Sequence, residues 1–140
     1  QAKTLFPYTT LFRSVITAAM SGIGLIIVTL RQRVSGPRLS PAQATQLINR
    51  EDALVIDVRE QAEWSGGHIG GARHIPFGQI EQRLAELEKF KARPIIIACA
   101  SGHRSSSTCA TLRKAGFEKV FALDGGTGAW EQAGLPLTKK

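Results

Sequence analysis

The sequence predicts an α/β fold, in which a mainly parallel central sheet lies between two layers of helices and one hydrophobic helix precedes the domain. Three observations lead to this prediction. Short apolar runs rich in β-branched residues recur along the chain, at residues 54–58, 95–98 and 119–123. Segments with helical periodicity follow or separate them, at residues 42–49, 80–90 and 105–115. Because strands alternate with helices, the strands are expected to run parallel and to be covered on both faces. A stretch of 16 uncharged residues, 15–30, comes before all of them.

The first 14 residues are predicted to be a non-native or disordered N-terminus. Residues 4–14 resemble translated sequencing-adapter read-through more than a natural terminus. The native N-terminus is then expected to be missing.

Residues 15–33 are predicted to form a transmembrane helix. The uncharged run is slightly short for a helix that needs about 20 residues to cross a bilayer, but Arg13 and Arg31 can extend their charges to the two interfaces. A core helix fits less well because the run has no polar face, and a cleaved signal peptide fits less well because charged residues follow directly. Three arginines after the uncharged run, Arg31, Arg33 and Arg38, outnumber the two basic residues before it, so the domain is expected in the cytoplasm, as part of a single-pass membrane protein.

The net charge of +7 does not indicate a nucleic-acid partner. Residues 1–40 hold five basic and no acidic residues, whereas residues 41–140 hold 13 basic and 11 acidic residues. The excess therefore belongs to the N-terminal segment and not to the surface of a folded domain.

The remaining chain is predicted to comprise a linker at 34–38, one domain at 39–137 and a tail at 138–140. Leu39 begins a brief edge strand, and Ser40 and Pro41 supply the N-cap and first turn of the helix at 42–49. The other expected elements follow in order: a strand at 54–58, a helix at 60–64, a turn at Gly66 and Gly67, a strand at 73–75, an amphipathic helix at 80–90, a strand at 95–98, a helix at 105–115, a strand at 119–123 and a helix at 126–132.

A strand, a tight loop and a helix N-terminus meet at residues 94–105. The first N–H groups of a helix have no carbonyl partner and favour negative charge, so Cys99 in this loop is expected to react as a thiolate. Arg104 adds a fixed positive charge, and Gly102 permits the positive φ that turns amides inward. A cysteine after a buried strand is otherwise a small core residue. The reactive interpretation requires a thiol that solvent can reach.

At these residues the chain resembles the rhodanese family of sulfurtransferases. The loop Cys99-Ala-Ser-Gly102-His-Arg104-Ser105 is similar to the active-site loop of that family. The similarity extends over about residues 39–137 and includes these further segments: 54–60, Glu63-Trp64, Gly67-His68-Ile69, Gly71-Ala72, Ile75-Pro76, Leu112, Gly116-Phe117, Val120, Leu123, Gly125-Gly126 and Trp130.

The resemblance implies a sulfurtransferase that needs no metal or organic cofactor. Cys99 would accept a sulfane sulfur from thiosulfate or a persulfide, carry it as a persulfide, and pass it to a thiol or cyanide, with a protein acceptor also possible. The expected substrate-binding residues are Ala100, Ser101, Gly102, His103, Arg104 and Ser105. Asp57 and Arg59 are expected to support the site by ion pairing, with Asp57 at the end of its strand near the same crevice as Cys99.

Two other functions remain open. The first is a rhodanese-like module that docks a partner or carries sulfur and turns over poorly alone. A cysteine phosphatase or arsenate reductase is less consistent with the loop, because phosphatases of this fold use Cys-x5-Arg and only four residues lie between Cys99 and Arg104. His68 is expected to be structural, the role of His103 is open, and Cys109 is expected in the core.

Overall fold

The core of the domain is a sheet of five parallel strands. The computed structural model describes Ile23 and residues 36–140, and the latter belong to one compact unit, Ser35–Lys140. The strands of this unit are β1 (Arg38–Leu39), β2 (Leu54–Asp57), β3 (His68–Ile69), β4 (Arg73–His74), β5 (Ile95–Ala98), β6 (Val120–Leu123) and β7 (Leu137–Thr138). The sheet order is β1-β6-β5-β2-β4, and every pairing in it is parallel. The mainly parallel sheet predicted from the sequence is therefore confirmed.

Helices cover both faces of this sheet. They are α1 (Pro41–Glu51), α2 (Gln61–Ser65), α3 (Leu84–Leu87), α4 (His103–Lys114) and α5 (Gly126–Gln132). One core cluster includes Leu87 of α3 and Leu112 of α4, and the other includes Ala44 of α1 and Trp130 of α5. The fold is thus the three-layer α/β arrangement that the alternation of strands and helices predicts.

Strand β5 lies at the centre of the sheet, and its side chains alternate between the two clusters. Ile95, Ile97 and Cys99 belong to the cluster beneath α3 and α4, whereas Ile96 and Ala98 belong to the cluster beneath α1 and α5. This alternation is the two-residue period of a strand. It assigns the Cys99 side chain to the α4 side of the sheet.

Helix α1 begins where the sequence predicts and ends two residues later than predicted. The Ser40 hydroxyl accepts from the Gln43 N–H, and the Gln43 side chain accepts from the Ser40 N–H, which is a complete capping box. Asp52 ends the helix in the left-handed conformation, with φ of 53°.

The prediction of one continuous amphipathic helix at 80–90 is wrong. The structure has a 3-10 turn at Phe77–Gln79, the four-residue helix α3, and a second 3-10 turn at Glu88–Phe90. Arg83 interrupts the helix with φ of −108° and ψ of 13°. Ile80 and Leu87 are nevertheless buried, because short turns can present the same apolar residues to the core.

Other boundaries differ by one or two residues. Helix α4 begins at His103 instead of residue 105, so two predicted loop residues lie in its first turn. Arg38, assigned to the linker, pairs in β1, and Thr138, assigned to the tail, pairs antiparallel with His68. The small β3–β7 sheet was not predicted because its strands have only two residues each.

No helix among Ile23 and residues 36–140 has both the length and the apolar character needed to cross a membrane. The predicted span at 15–33 lies, apart from Ile23, outside the described residues.

Candidate active site

Cys99 lies at the carboxyl end of the central strand, between β5 and α4. Gly102 is the N-cap of α4 and has φ of 94°, a left-handed conformation that glycine adopts without steric cost. The chain can therefore turn from the strand into the helix across the four residues 99–102. This is the edge of a parallel α/β sheet where ligands usually bind.

Two groups contact the Cys99 sulfur. The Gly102 N–H donates to Sγ at 2.7 Å, and the Ser105 Oγ lies 3.2 Å from Sγ. The Ser105 hydroxyl also lies 3.0 Å from the Gly102 carbonyl oxygen, to which it can donate. With a single proton, this hydroxyl can donate either to that carbonyl or to a sulfur anion, so it can respond to the protonation of Cys99.

The first turn of α4 presents further donors to the loop. The N–H groups of His103, Arg104 and Ser105 make no hydrogen bond within the part of the chain that the structure describes. The helix also has no side-chain N-cap. Unpaired amides and the positive end of the helix dipole make this turn a favourable environment for an anion.

Cys99 itself is almost inaccessible, with only 1% of its surface exposed. This differs from the accessible thiol that the reactive interpretation requires. Loop residues Ala100, Ser101 and His103 are exposed, so the loop itself faces solvent while the sulfur lies beneath it. A donor can reach the sulfur only if loop atoms or neighbouring side chains move.

Arg104 does not stand free in the site. Its Nη2 donates to the Glu63 carboxylate, 3.2 Å from Oε1 and 3.5 Å from Oε2, and the two side chains are about one-third exposed. Glu63 lies on α2, 41 residues earlier in the chain. The predicted anion-binding guanidinium thus already has a carboxylate partner.

Asp57 and Arg59 form a buried ion pair. The Asp57 carboxylate is fully buried and accepts from the Arg59 backbone N–H, Nε and Nη2, with the shortest distance 2.7 Å. Arg59 Nη2 also donates to the Gly67 carbonyl at 2.7 Å. The pairing expected from the sequence is present, and it fastens the segment after β2 to the turn before β3.

The expectation that Asp57 and Cys99 face one crevice is wrong. Asp57 is in register with Ala98 on the neighbouring strand, so its side chain lies on the face opposite that of Cys99. Ile56 and Val58, on either side of Asp57, belong to the same cluster as Cys99. Asp57 can therefore act on the loop only indirectly, through the backbone.

The two histidines near this ion pair are held by backbone carbonyls. His68 is 3% exposed, donates from Nδ1 to the Trp64 carbonyl at 3.1 Å, and stacks on the Trp64 ring at 3.5 Å between centroids. His74 donates from Nε2 to the Arg59 carbonyl at 2.7 Å and stacks on the same indole at 4.8 Å. Both rings therefore pack against Trp64 of α2, which fits a structural role for His68.

Two residues next to the loop, Arg38 and Gly126, are not among the predicted site residues. Arg38 donates from Nη2 to the Ser106 hydroxyl at 3.2 Å, and its Nη1 lies 3.5 Å from Asp124. Gly126 has φ of 62°, and a Cβ there would collide with the Cys99 carbonyl oxygen. The Thr127 N–H donates to the same oxygen at 2.9 Å. The turn after β6 therefore supports the back of the loop.

Cys109 has the properties of a core residue. It is fully buried, and burial raises the pKa of its thiol to about 12. A protonated, inaccessible thiol is a poor nucleophile. No cluster of three potential metal ligands among histidine, cysteine, aspartate and glutamate occurs in the part of the domain that is described.

Comparison with known proteins agrees with this geometry. The model of the Rhodanese-like domain family matches residues 40–133. A relative in Escherichia coli K12, the uncharacterized protein YibN, is 34% identical over 119 residues, which are 84% of this chain and 83% of that protein. The thiosulfate sulfurtransferase GlpE of Pseudoalteromonas translucida is 36% identical over 95 residues, or 68% of this chain and 89% of that protein.

A solved structure shows the same fold. The crystal structure of a rhodanese-related protein from Thermoplasma volcanium superposes with a TM-score of 0.68 at 25% sequence identity, over 75% of this chain and all of that chain. The family model covers about two thirds of the chain, and relatives more than 30% identical align over most of their own length. The chain therefore belongs to the rhodanese family and carries a rhodanese-like domain.

Proposed function

We propose that this chain is a sulfurtransferase that moves a sulfane sulfur from a donor to a thiol or cyanide by way of a persulfide on Cys99. The observation that carries the proposal is the 2.7 Å hydrogen bond from the Gly102 N–H to Sγ, at a helix N-terminus whose next three amides have no partner among the described residues. Amides arranged in this way stabilise negative charge on sulfur, both in a thiolate and on the outer atom of a persulfide.

The first half of the reaction forms one bond and breaks one. The Cys99 thiolate attacks the outer sulfur of thiosulfate, the S–S bond of the donor breaks, and sulfite leaves with the bonding electron pair. With an organic persulfide R–S–SH, a thiolate leaves instead. The negative charge moves to the new terminal sulfur, where the unpaired amides of His103, Arg104 and Ser105 are candidates to receive it.

The second half regenerates the enzyme. Cyanide, or an acceptor thiolate, attacks the terminal sulfur, and the Cys99 thiolate leaves. The hydroxyl of Ser105, 3.2 Å from Sγ, is a candidate to donate to the departing thiolate. Neither step requires a metal or an organic cofactor.

A cyanide and thiosulfate assay on the purified chain tests this proposal. Thiocyanate formation is expected with the unchanged protein and is expected to disappear in Cys99→Ser. The Cys109→Ala variant is the matched control and is expected to retain activity. Activity that survives in Cys99→Ser would refute the assignment of Cys99 as the sulfur acceptor.

The near-complete burial of Cys99 favours a second candidate function. A sulfur carrier or partner-binding module would need its loop opened by a partner protein and would turn over slowly alone. A persulfide that forms on Cys99 without repeated turnover with free donor and acceptor would support this candidate. A phosphatase is less consistent with four residues between Cys99 and Arg104, and hydrolysis of an aryl phosphate would revive it.

We also propose that residues 15–33 anchor the protein in the membrane, with the domain in the cytoplasm. The support comes from the uncharged run at residues 15–30 and from the arginines that flank it. The full chain is then expected to stay with membranes after alkaline carbonate extraction. In sealed cells, its domain is expected to resist external protease. Release by carbonate would contradict the anchor.

A further inference from the structure

Glu63 holds Arg104 by a single nitrogen. Within the described residues, the only hydrogen bonds of the Arg104 side chain are those from Nη2 to the two Glu63 oxygens, at 3.2 and 3.5 Å. Arg104 is in the first turn of α4, whose amides are the candidates to receive a donor. A donor that approaches these amides therefore meets a guanidinium and a carboxylate together.

The other arginines around the loop are also paired with carboxylates, as Arg104 is with Glu63. Three guanidinium groups are attached to the loop or to the strand ends beside it, and each has its own carboxylate: Arg38 with Asp124, Arg59 with Asp57, and Arg104 with Glu63. Among the described side chains, the site thus gains no net positive charge from arginine. Attraction for an anion is left mainly to the backbone amides of α4.

Burial of the sulfur adds to this effect. Cys99 is 1% exposed, so the reacting part of a donor must lose much of its water on the way to Sγ. The cost of removing charge from water rises steeply with the amount of charge, and it is offset only by paired charges or hydrogen bonds. A dianion such as thiosulfate is therefore at a disadvantage relative to a donor with one charge or none.

We infer that the site is matched to sulfur donors of low negative charge, such as an organic persulfide, and that Glu63 is the residue that sets this preference. The inference rests on the proposed sulfurtransferase function. Glu63 acts by neutralising Arg104 and by placing its own negative charge beside the path of the donor. It is thus a specificity-determining residue and not a participant in bond formation.

The variant Glu63→Gln isolates the charge. Glu63 Oε1 also accepts from the Glu60 N–H at the start of α2, at 3.3 Å, and a glutamine oxygen can make the same bonds to that amide and to Arg104. A Coulomb energy is proportional to the charge of the donor. The gain for a dianion is therefore the square of the gain for a monoanion, about tenfold against about threefold for a partly screened carboxylate.

The test compares kcat/KM for thiosulfate, a dianion, and benzenethiosulfonate, a monoanion, in the full chain with cyanide as acceptor. Each donor passes its outer sulfur to Cys99, and the leaving group is sulfite or benzenesulfinate. Glu63→Gln is expected to raise kcat/KM for both and to raise the ratio of thiosulfate to benzenethiosulfonate about threefold. Glu118→Gln is the matched control, because this exposed glutamate precedes the amino end of β6, whereas Cys99 follows the carboxyl end of the parallel strand β5.

The outcomes separate the two proposals. If the unchanged protein forms thiocyanate but the ratio in Glu63→Gln equals that in Glu118→Gln, the inference about Glu63 is overturned and the sulfurtransferase function stands. A loss of thiosulfate activity in Glu63→Gln also overturns the inference, because it means that Glu63 serves to orient Arg104. If the unchanged protein transfers sulfur from neither donor, the proposed function fails and the inference fails with it.

Discussion

Replacing Asp57 with asparagine should destabilise the domain strongly while leaving sulfur chemistry intact in the molecules that fold. The Asp57 carboxylate is 0% exposed, and the guanidinium that it neutralises belongs to Arg59, which is 6% exposed. Asparagine keeps the size and one oxygen of aspartate, but it leaves a buried positive charge without a counterion. It also turns an amide donor toward a group that has only donors.

The expected magnitude follows from this burial. Breaking a buried ion pair by removing one partner costs about 3–5 kcal/mol, which is a large part of the roughly 5–15 kcal/mol that stabilises a typical domain. For a domain of this size, each kcal/mol corresponds to about 4–8 °C. The melting temperature of Asp57→Asn is therefore expected to fall by about 12 °C or more.

Asp52→Asn provides the matched control. Asp52 pairs with Arg93 at 3.0 Å, but 87% of its side chain is exposed, so the loss is expected to be about 0–1 kcal/mol. Asparagine also tolerates the left-handed backbone at this position. Thermal unfolding of the full chain, followed by circular dichroism, measures the difference in melting temperature. Equal stability of the two variants would refute the argument from burial. A stable Asp57→Asn protein without sulfur transfer would show that Asp57 acts in the chemistry.

Two further predictions concern the glycine behind the loop and the second cysteine. Gly126→Ala is expected to lower both stability and sulfur transfer, because its Cβ would lie 2.7 Å from the Ala100 carbonyl oxygen. Gly134→Ala has a similar φ but nothing within 4 Å of its Cβ, so it should lower the free energy of unfolding by only about 1–2 kcal/mol and preserve activity. Equal activity losses in the two variants would contradict a loop-supporting role for Gly126. Because burial raises the pKa of the Cys109 thiol to about 12, iodoacetamide should leave it unmodified in the native protein at neutral and mildly alkaline pH and should alkylate it after unfolding. Above the ordinary thiol pKa of 9.0 the unfolded state loses the Cys109 proton, whereas the folded state keeps it. The free energy of unfolding should therefore fall as pH rises from about 9 towards 12, and it should fall less steeply in Cys109→Ala. An equally steep fall in that variant would contradict the raised pKa of Cys109.

The sequence predicts the main elements well because their signals are local. The apolar run at Ile95–Ala98 has no polar interruption, so its bounds as a strand are those predicted. Ser40 and Pro41 predict the start of α1, because an N-cap and a first-turn proline act without any tertiary contact. The apolar positions at 80–90 predict burial correctly but do not distinguish one helix from a series of short turns, because both present the same residues to the core.

Contacts within the site depend on long-range packing and are therefore harder to predict from the sequence. Arg104 meets a partner 41 residues away and Arg38 meets Ser106 across 68 residues, and neither pairing leaves a pattern in the sequence. The error on Asp57 has a different source, since strand pairing sets its register with Ala98 and thereby its face. Burial of Cys99 likewise follows from the packing of the loop, which its residue types alone do not fix.

Mass spectrometry of the full chain and of its peptides, after brief exposure to a sulfane-sulfur donor, is the decisive measurement of whether Cys99 accepts sulfur. One additional sulfur atom is expected on Cys99 and none on Cys109, and this sulfur is expected to be removed when cyanide is added. An unmodified Cys99 after exposure to both thiosulfate and an organic persulfide, or the same mass increase in Cys99→Ser, would contradict the assignment of this thiol as the sulfur acceptor.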